Sequence, residues 1–161
     1  MRRLLRTIEE IGWTRVVPRL APSDPVANAF DLMSREAHDC VLVRTADRLV
    51  GIFTSRDFLN RVAAVRGDPN AVTLADVMTP SPRTLCPRDQ VAFAINWMAV
   101  EGFRNVPIVD DAGDSLGVLT IWDVMRHLGE FFDEIDATPR SRLPRSDTSG
   151  VVSMIDLGGN Q

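Results

Sequence analysis

The sequence predicts a mixed α/β (α+β) protein built from two copies of one βαββα unit. Three observations carry that expectation. Residues 18–36 match residues 83–101 at an offset of 65, pairing Leu20 with Leu85, Pro22 with Pro87, Asp24 with Asp89, Met33 with Met98 and Glu36 with Glu101. After a one-residue insertion at Gly102 the offset becomes 66, pairing Val43 with Val109, Gly51 with Gly117, Thr54 with Thr120 and Asp57 with Asp123. Within each copy, short apolar runs alternate with stretches whose apolar residues recur at helical spacing, the pattern of buried strands between amphipathic helices.

Taken in order, residues 1–12 place Leu4, Leu5, Ile8 and Ile11 on one face of an N-terminal helical segment. The first repeat, 13–66, opens with extended Val16–Leu20 and a Pro/Asp turn. Its first helix, Val26–Glu36, carries Val26, Ala29, Phe30 and Met33 at helical spacing. Cys40–Val43 reads as a buried strand, Arg44–Arg48 as a polar turn and Leu49–Phe53 as a second strand. A second helix then runs from near Thr54 to about Val65. Residues 67–73, with Gly67, Asp68, Pro69 and Asn70, break the pattern and form the linker. The second repeat, 74–133, begins with one helical turn at Leu74–Met78 and then repeats the grammar. Its pieces are Arg83–Cys86, the helix Val91–Glu101, the strands Val106–Val109 and Leu116–Leu119, and a helix from Thr120 to about Phe132. Residues 134–161 form a partly flexible tail, rich in Pro, Arg and Ser between Thr138 and Gly150, with Val151–Leu157 as an added edge strand.

Composition narrows the function. Hydrophobic residues make up 45% and charged residues 25%, and no apolar run reaches the roughly 20 residues of a membrane span. The early Glu9 and Glu10 interrupt the signal-peptide-like start, so a cytoplasmic location is expected. A net charge of −4 argues against nucleic acid, which needs a dominant basic face. All 18 basic residues are arginine, which removes lysine-based covalent catalysis and a Walker-type phosphate loop. With Cys40, Cys86, His38 and His127 as the whole complement of cysteine and histidine, neither a structural zinc site nor a disulfide framework is expected.

The chemistry concentrates at two junctions. Gly51–Asp57 and Gly117–Asp123 share the pattern Gly-apolar-apolar-Thr-x-x-Asp. One meaning of it is a capping box, in which Thr and the acidic residue satisfy each other's free N–H groups. The duplication adds another. A glycine at the end of a strand permits close approach of a neighbour or ligand. Hydroxyl and carboxylate then sit at the positive end of a helix, where a phosphate can be held, and a carboxylate that accepts two hydroxyls grips a ribose. These groups together fit a nucleoside phosphate.

Those junctions, with Val106-Pro107-Ile108-Val109-Asp110, resemble the cystathionine-β-synthase (CBS) domain family, arranged as the tandem pair called a Bateman module, over about residues 13–132. The resemblance implies two units packed about a pseudo-twofold axis with two clefts between them, and pairing of modules into a homodimer. It implies binding of an adenosine nucleotide such as AMP, ADP or ATP (AMP first), with S-adenosylmethionine or NAD as further candidates, and regulation of an unidentified partner protein. Each cleft would take its ribose-binding Asp from one copy and its leading strand from the other. Site A would then use Asp57 for the ribose, Thr54 and Arg56 near the phosphate, Ile52 beside the adenine and His38 on the preceding strand. Thr79, Ser81 and Arg83 would come from the second copy. Site B would use Asp123, Thr120, Val118, Arg104 and Trp122, with Trp13, Val16 and Pro18 from the first copy's leading segment. The chain departs from the family pattern at Val41, where the second copy has Pro107, and at Asp39, where it has Asn105.

The expected function is a ligand-sensing module with no catalytic residues and no metal. The competing reading is a structural dimerisation or interaction module whose Asp57 and Asp123 only cap helices. An enzyme has little support in the sequence, because no nucleophile–base pair or paired carboxylates recur at catalytic spacing.

Overall fold

A computed structural model describes residues 6–14, 16–46 and 48–137, with side chains described as far as Gly129. The elements are α1 (Ile8–Ile11), β1 (Arg19–Leu20), α2 (Val26–Glu36), β2 (Cys40–Arg44), β3 (Leu49–Thr54), α3 (Ser55–Asp57, continuing as a π-helical stretch Phe58–Ala63), α4 (Leu74–Val77), β4 (Thr79–Pro80), α5 (Val91–Glu101), β5 (Asn105–Val109), β6 (Ser115–Thr120) and α6 (Ile121–Ala137). The protein is a mixed α+β fold in which the βαββα order recurs. One difference is that Arg83–Cys86 contributes a single parallel bridge, Leu85 to Ile108, rather than a strand. Another is that α6 runs to Ala137, past the expected end near Phe132. The N-terminal helix is the single turn α1. Leu4 and Leu5, the residues from Thr138 onward and the expected strand Val151–Leu157 lie outside the described residues. The compact unit closes at Leu128, and Gly129–Ala137 is the remainder of α6.

Strands β2 and β3 form an antiparallel hairpin flanked by parallel β1 and antiparallel β4, in the order β1-β2-β3-β4. Strands β5 and β6 form the corresponding hairpin, with Val106 opposite Leu119 and Pro107 opposite Val118. The continuous apolar run of β2 buries both faces. Val41 and Val43 enter one core with Phe53, Val26, Ala29, Met33 and Val62, while Cys40 and Leu42 enter a second cluster with Val17, Ile52 and Val118. That second cluster joins the two repeats, since Val118 belongs to β6.

The two repeats exchange their leading segments. Thr7 and Glu10 form a capping box on α1, as Thr73 and Asp76 do on α4. The amides of Ile8 and Glu9 donate to the carbonyls of Asp89 and Pro87 in the second repeat. The amides of Leu74 and Ala75 donate to those of Asp24 and Pro22 in the first. Ile8 and Trp13 thus lie in the core of the second repeat with Val91, Ala94, Val106 and Leu119, while Leu74 and Val77 lie in that of the first. Each repeat is sealed by chain from outside its own βαββα run. Two such exchanged units, related by an approximate twofold axis, leave a seam along β3–β4 and β6–Thr14.

Both cysteines are free. Burial first, and the adjacent Asp39 second, push the Cys40 thiol up to about 12. Cys86, half-buried, is also raised, by desolvation and then by Asp89. Thiolate is the reactive form, so both cysteines react slowly in the folded protein. A disulfide reagent at pH 8 is expected to titrate Cys86 first and Cys40 only on unfolding. A fast-reacting thiol that survives Cys86→Ser would contradict this packing.

Candidate functional site

Helix α3 starts where β3 ends, and Thr54 makes the transition in extended conformation. Its hydroxyl accepts from the Asp57 amide at 3.3 Å, while Asp57 Oδ2 accepts from the Thr54 amide at 3.0 Å and from the Thr54 hydroxyl at 2.7 Å. Thr120 and Asp123 repeat the arrangement at 3.1, 2.9 and 2.7 Å. The capping function of both pairs is therefore real. What separates the two junctions is the space in front of them.

At the first junction a cleft of about 380 Å³ opens, in the range of small-ligand sites. The first repeat supplies Ile52, Thr54, Arg56 and Asp57, and the π-helical stretch adds Asn60 and Arg61. A π-helix bonds each amide five residues back, as Ala64 does to Leu59 at 2.9 Å, and such widened turns are frequent at functional sites. The second repeat supplies Thr79, Pro82 and Arg83. Its Gly102–Arg104 loop, three residues like Ala37–Asp39, adds Phe103 and Arg104. The hairpin registers put the second copy's extra residue in the turn 110–114, not at Gly102 where the sequence match had it. Two site-A residues sit elsewhere. His38 is half-buried and Ser81 donates its amide to the Val50 carbonyl, and neither side chain forms part of the cleft wall.

Asp57 is held for the cleft. Its side chain is 12% exposed, with Oδ1 at 3.4 Å from Arg61 Nη1. That same Nη1 donates to the carbonyls of Val77 and Met78, each at 2.7 Å, tying α3 to the segment leading into β4. Sequence reasoning passed over Arg61, although its i,i+4 spacing from Asp57 is the signal that finds it. Arg56 Nη1 reaches the Gly102 carbonyl at 3.4 Å. Arg83 pairs with Glu101 and lies 4.2 Å over the Trp97 ring. The Arg104 side chain has no hydrogen bond or ion pair among the described residues. It was expected in the second cleft and instead lines the first, beside Gly102, Phe103 and Asn105.

Gly51 sets how closely β4 approaches β3 beside this cleft. It faces Pro80 across the β3–β4 pairing, and a Cβ there would meet Met78 Sδ at 2.3 Å and the Thr79 carbonyl at 3.2 Å. Met78 can swing away but the Thr79 backbone cannot, so Gly51→Ala displaces β4. It is expected to cost about 1–3 kcal/mol, the usual range for overpacking. Urea denaturation checks the value, and a neutral result would show β4 free to shift.

At the second junction the polar groups are bonded to one another. Thr14 pairs with Val118 as Thr79 does with Ile52, and its neighbour Trp13 is 7% exposed and packed in the second repeat's core. Thr14 bridges Val118 through two backbone bonds, and its hydroxyl donates to Asp123 Oδ2 at 3.4 Å. Asp123 Oδ1 accepts from Arg126 at 2.7 Å. Val118 and Pro18 are buried, Thr120 is half-buried, and Val16 and Trp122 point to solvent at 77% and 70% exposure. The eight residues expected to form site B therefore do not surround one open cleft.

Among the described residues no group of three or more His, Cys, Asp or Glu is placed to hold a metal, and no helix is long and apolar enough to cross a membrane.

Known proteins were compared with the chain. The CBS domain family model matches residues 8–64 and again 74–130. CBS domain-containing protein CBSCBSPB3 of Arabidopsis thaliana is 31% identical over 108 residues, which are 67% of this chain and 19% of that protein. An uncharacterized protein of Methanopyrus kandleri is 27% identical over 120 residues, 74% of this chain and 61% of that protein. The chain thus spans less than two thirds of either relative. Among solved structures, CBSX2 in complex with AMP superposes with a TM-score of 0.67 at 24% identity, covering 78% of this chain and 98% of that one. At that identity the likeness is one of fold.

Proposed function

Because the chain belongs to the CBS-domain family and carries two of its domains in tandem, we propose that it is a regulatory module that binds an adenosine nucleotide, AMP first, in the cleft in front of Asp57. One observation carries the reading. A cleft walled by both repeats offers a carboxylate oxygen outside the cap bonds and, among its lining residues, arginines suited to phosphate. The ribose hydroxyls would donate to Asp57 Oδ1. Thr54, Arg56 and Arg104 would hold the phosphate, and the adenine would lie against Ile52 and Thr79. The AMP carried by CBSX2, a protein of the same fold, agrees with this ligand class. S-adenosylmethionine and NAD share the adenosine part and are the next candidates.

The module acts as a sensor rather than an enzyme, in the cytoplasm, and an unidentified partner reads its state. Occupancy changes that state only as far as the nucleotide binds one arrangement better than another. Pairing of two copies belongs to the same reading. Phe93 and Val100 lie exposed seven residues apart on one face of α5, and α6 exposes Trp122 and Met125.

A thermal-shift series with AMP, ADP, ATP, S-adenosylmethionine and NAD tests the proposal. A ligand at a hundred times its Kd adds about 2.7 kcal/mol to stability. A shift from one adenosine compound supports the sensor. No shift from any of them leaves a structural dimerisation module.

A further inference from the structure

Resting on the nucleotide reading, the charges along the cleft wall decide how many phosphates it accepts. We propose that Glu101 makes the cleft selective for a nucleoside monophosphate by neutralising Arg83. The wall holds four arginines, and two are already committed. Arg61 serves Asp57 and the carbonyls of Val77 and Met78. Arg83 serves Glu101 while its guanidinium lies over the Trp97 ring, which holds the pair at the rim.

Arg56 and Arg104 are left for a ligand. Arg56 touches only a neutral carbonyl, and Arg104 has no ion pair among the described residues, so both keep their full charge. Asp39, exposed on the same wall and without an ion pair among the described residues, offsets one of them. The uncommitted charge is thus close to one positive unit. A phosphate monoester near neutral pH carries about one and a half to two negative charges, which two arginine forks can satisfy. Each further phosphate adds negative charge with no free cation to meet it, and brings that charge toward Glu101. The side chains of the Arg83–Glu101 pair are 52% and 38% exposed, so the effect is moderated by solvent but not abolished.

Glu101→Gln tests this, because it removes the charge and keeps an oxygen that Arg83 can still bond. Kd values for AMP, ADP and ATP would be measured by calorimetry in low salt without divalent cations, on the wild type, on Glu101→Gln and on Asp111→Asn. The last removes one negative charge at the exposed Arg88–Asp111 pair, away from the cleft, and serves as the charge control. The wild type is expected to prefer AMP. Glu101→Gln is expected to lower the ratio of the ATP Kd to the AMP Kd by about 3- to 10-fold, as one unit charge at such range implies, with the gain shrinking in high salt. Asp111→Asn should leave the ratio within about 2-fold, because that charge lies outside the cleft and is already met by Arg88. AMP binding with an unchanged ratio in Glu101→Gln overturns the role of Glu101 and leaves the nucleotide reading standing. A lack of binding by any nucleotide to any of the three proteins overturns both.

Discussion

Asp57→Ala is expected to abolish the nucleotide-dependent rise in melting temperature, whereas Asp123→Ala lowers the melting temperature of the free protein and leaves the ligand-dependent increment intact. The two residues make the same cap, so each loses about 1 kcal/mol from that source. In a protein of this size that is a fall of a few degrees. The difference lies in the second carboxylate oxygen. Asp123 Oδ1 is taken by Arg126, and Oδ2 serves the Thr120 amide, the Thr120 hydroxyl and the Thr14 hydroxyl. Both oxygens are thus engaged before a ligand arrives, and Trp13 packs into the second repeat's core. Asp57 spends Oδ2 on its cap and turns Oδ1 toward the open cleft beside Arg61. A ligand increment of about 2.7 kcal/mol at a hundred times Kd exceeds the cap loss, so the two effects separate in one titration. Equal loss of the increment in both variants would show that the second junction opens in solution.

The repeat, its helices and its hairpins were legible because they are local: helical spacing in Val26–Met33 and Val91–Met98, and short apolar runs at Cys40–Val43 and Val106–Val109, specify element and burial together. The pairing of Asp57 with a leading segment from the other copy was legible through family resemblance, and Thr79 and Arg83 do line that cleft. The asymmetry was not. Nothing local marks Trp13 as a core residue, because a tryptophan near a cleft can stack on a base or pack beneath it. Nor does the sequence tell which way the Gly102–Arg104 loop carries Arg104, since no periodicity governs three residues between a helix and a strand. The π-helical stretch after Asp57 has no signature in Phe58–Ala63. Val16 and Trp122 were placed by analogy of position, and their exposure reflects the direction of the chain, which periodicity does not encode at a single residue.

The exchange of leading segments predicts a second large effect, in stability. Ile8 and Leu74 are each fully buried, in the core of the repeat whose βαββα run they do not belong to. Truncating a buried Ile or Leu to Ala costs about 2–5 kcal/mol, so Ile8→Ala should weaken the second repeat by that amount although it lies at the start of the chain. Leu74→Ala should do the same to the first. Neither loss stays local. Unfolding the second repeat withdraws α4 and β4 from the first, and with them Leu74, Val77 and the β3 edge pairing of Thr79 and Pro80. Unfolding the first withdraws α1 and Trp13 from the second, along with the bonds to Asp89 and Pro87. Each variant should therefore lose stability in one cooperative transition, with tryptophan emission and far-ultraviolet circular dichroism changing together. Two resolved transitions, or an Ile8→Ala cost below about 1 kcal/mol, would mean that α1 is an ornament rather than a seal. If the transition is single, a nucleotide held between Asp57 and Arg104 stabilises both cores at once, because its site draws on the same exchanged chain that closes them.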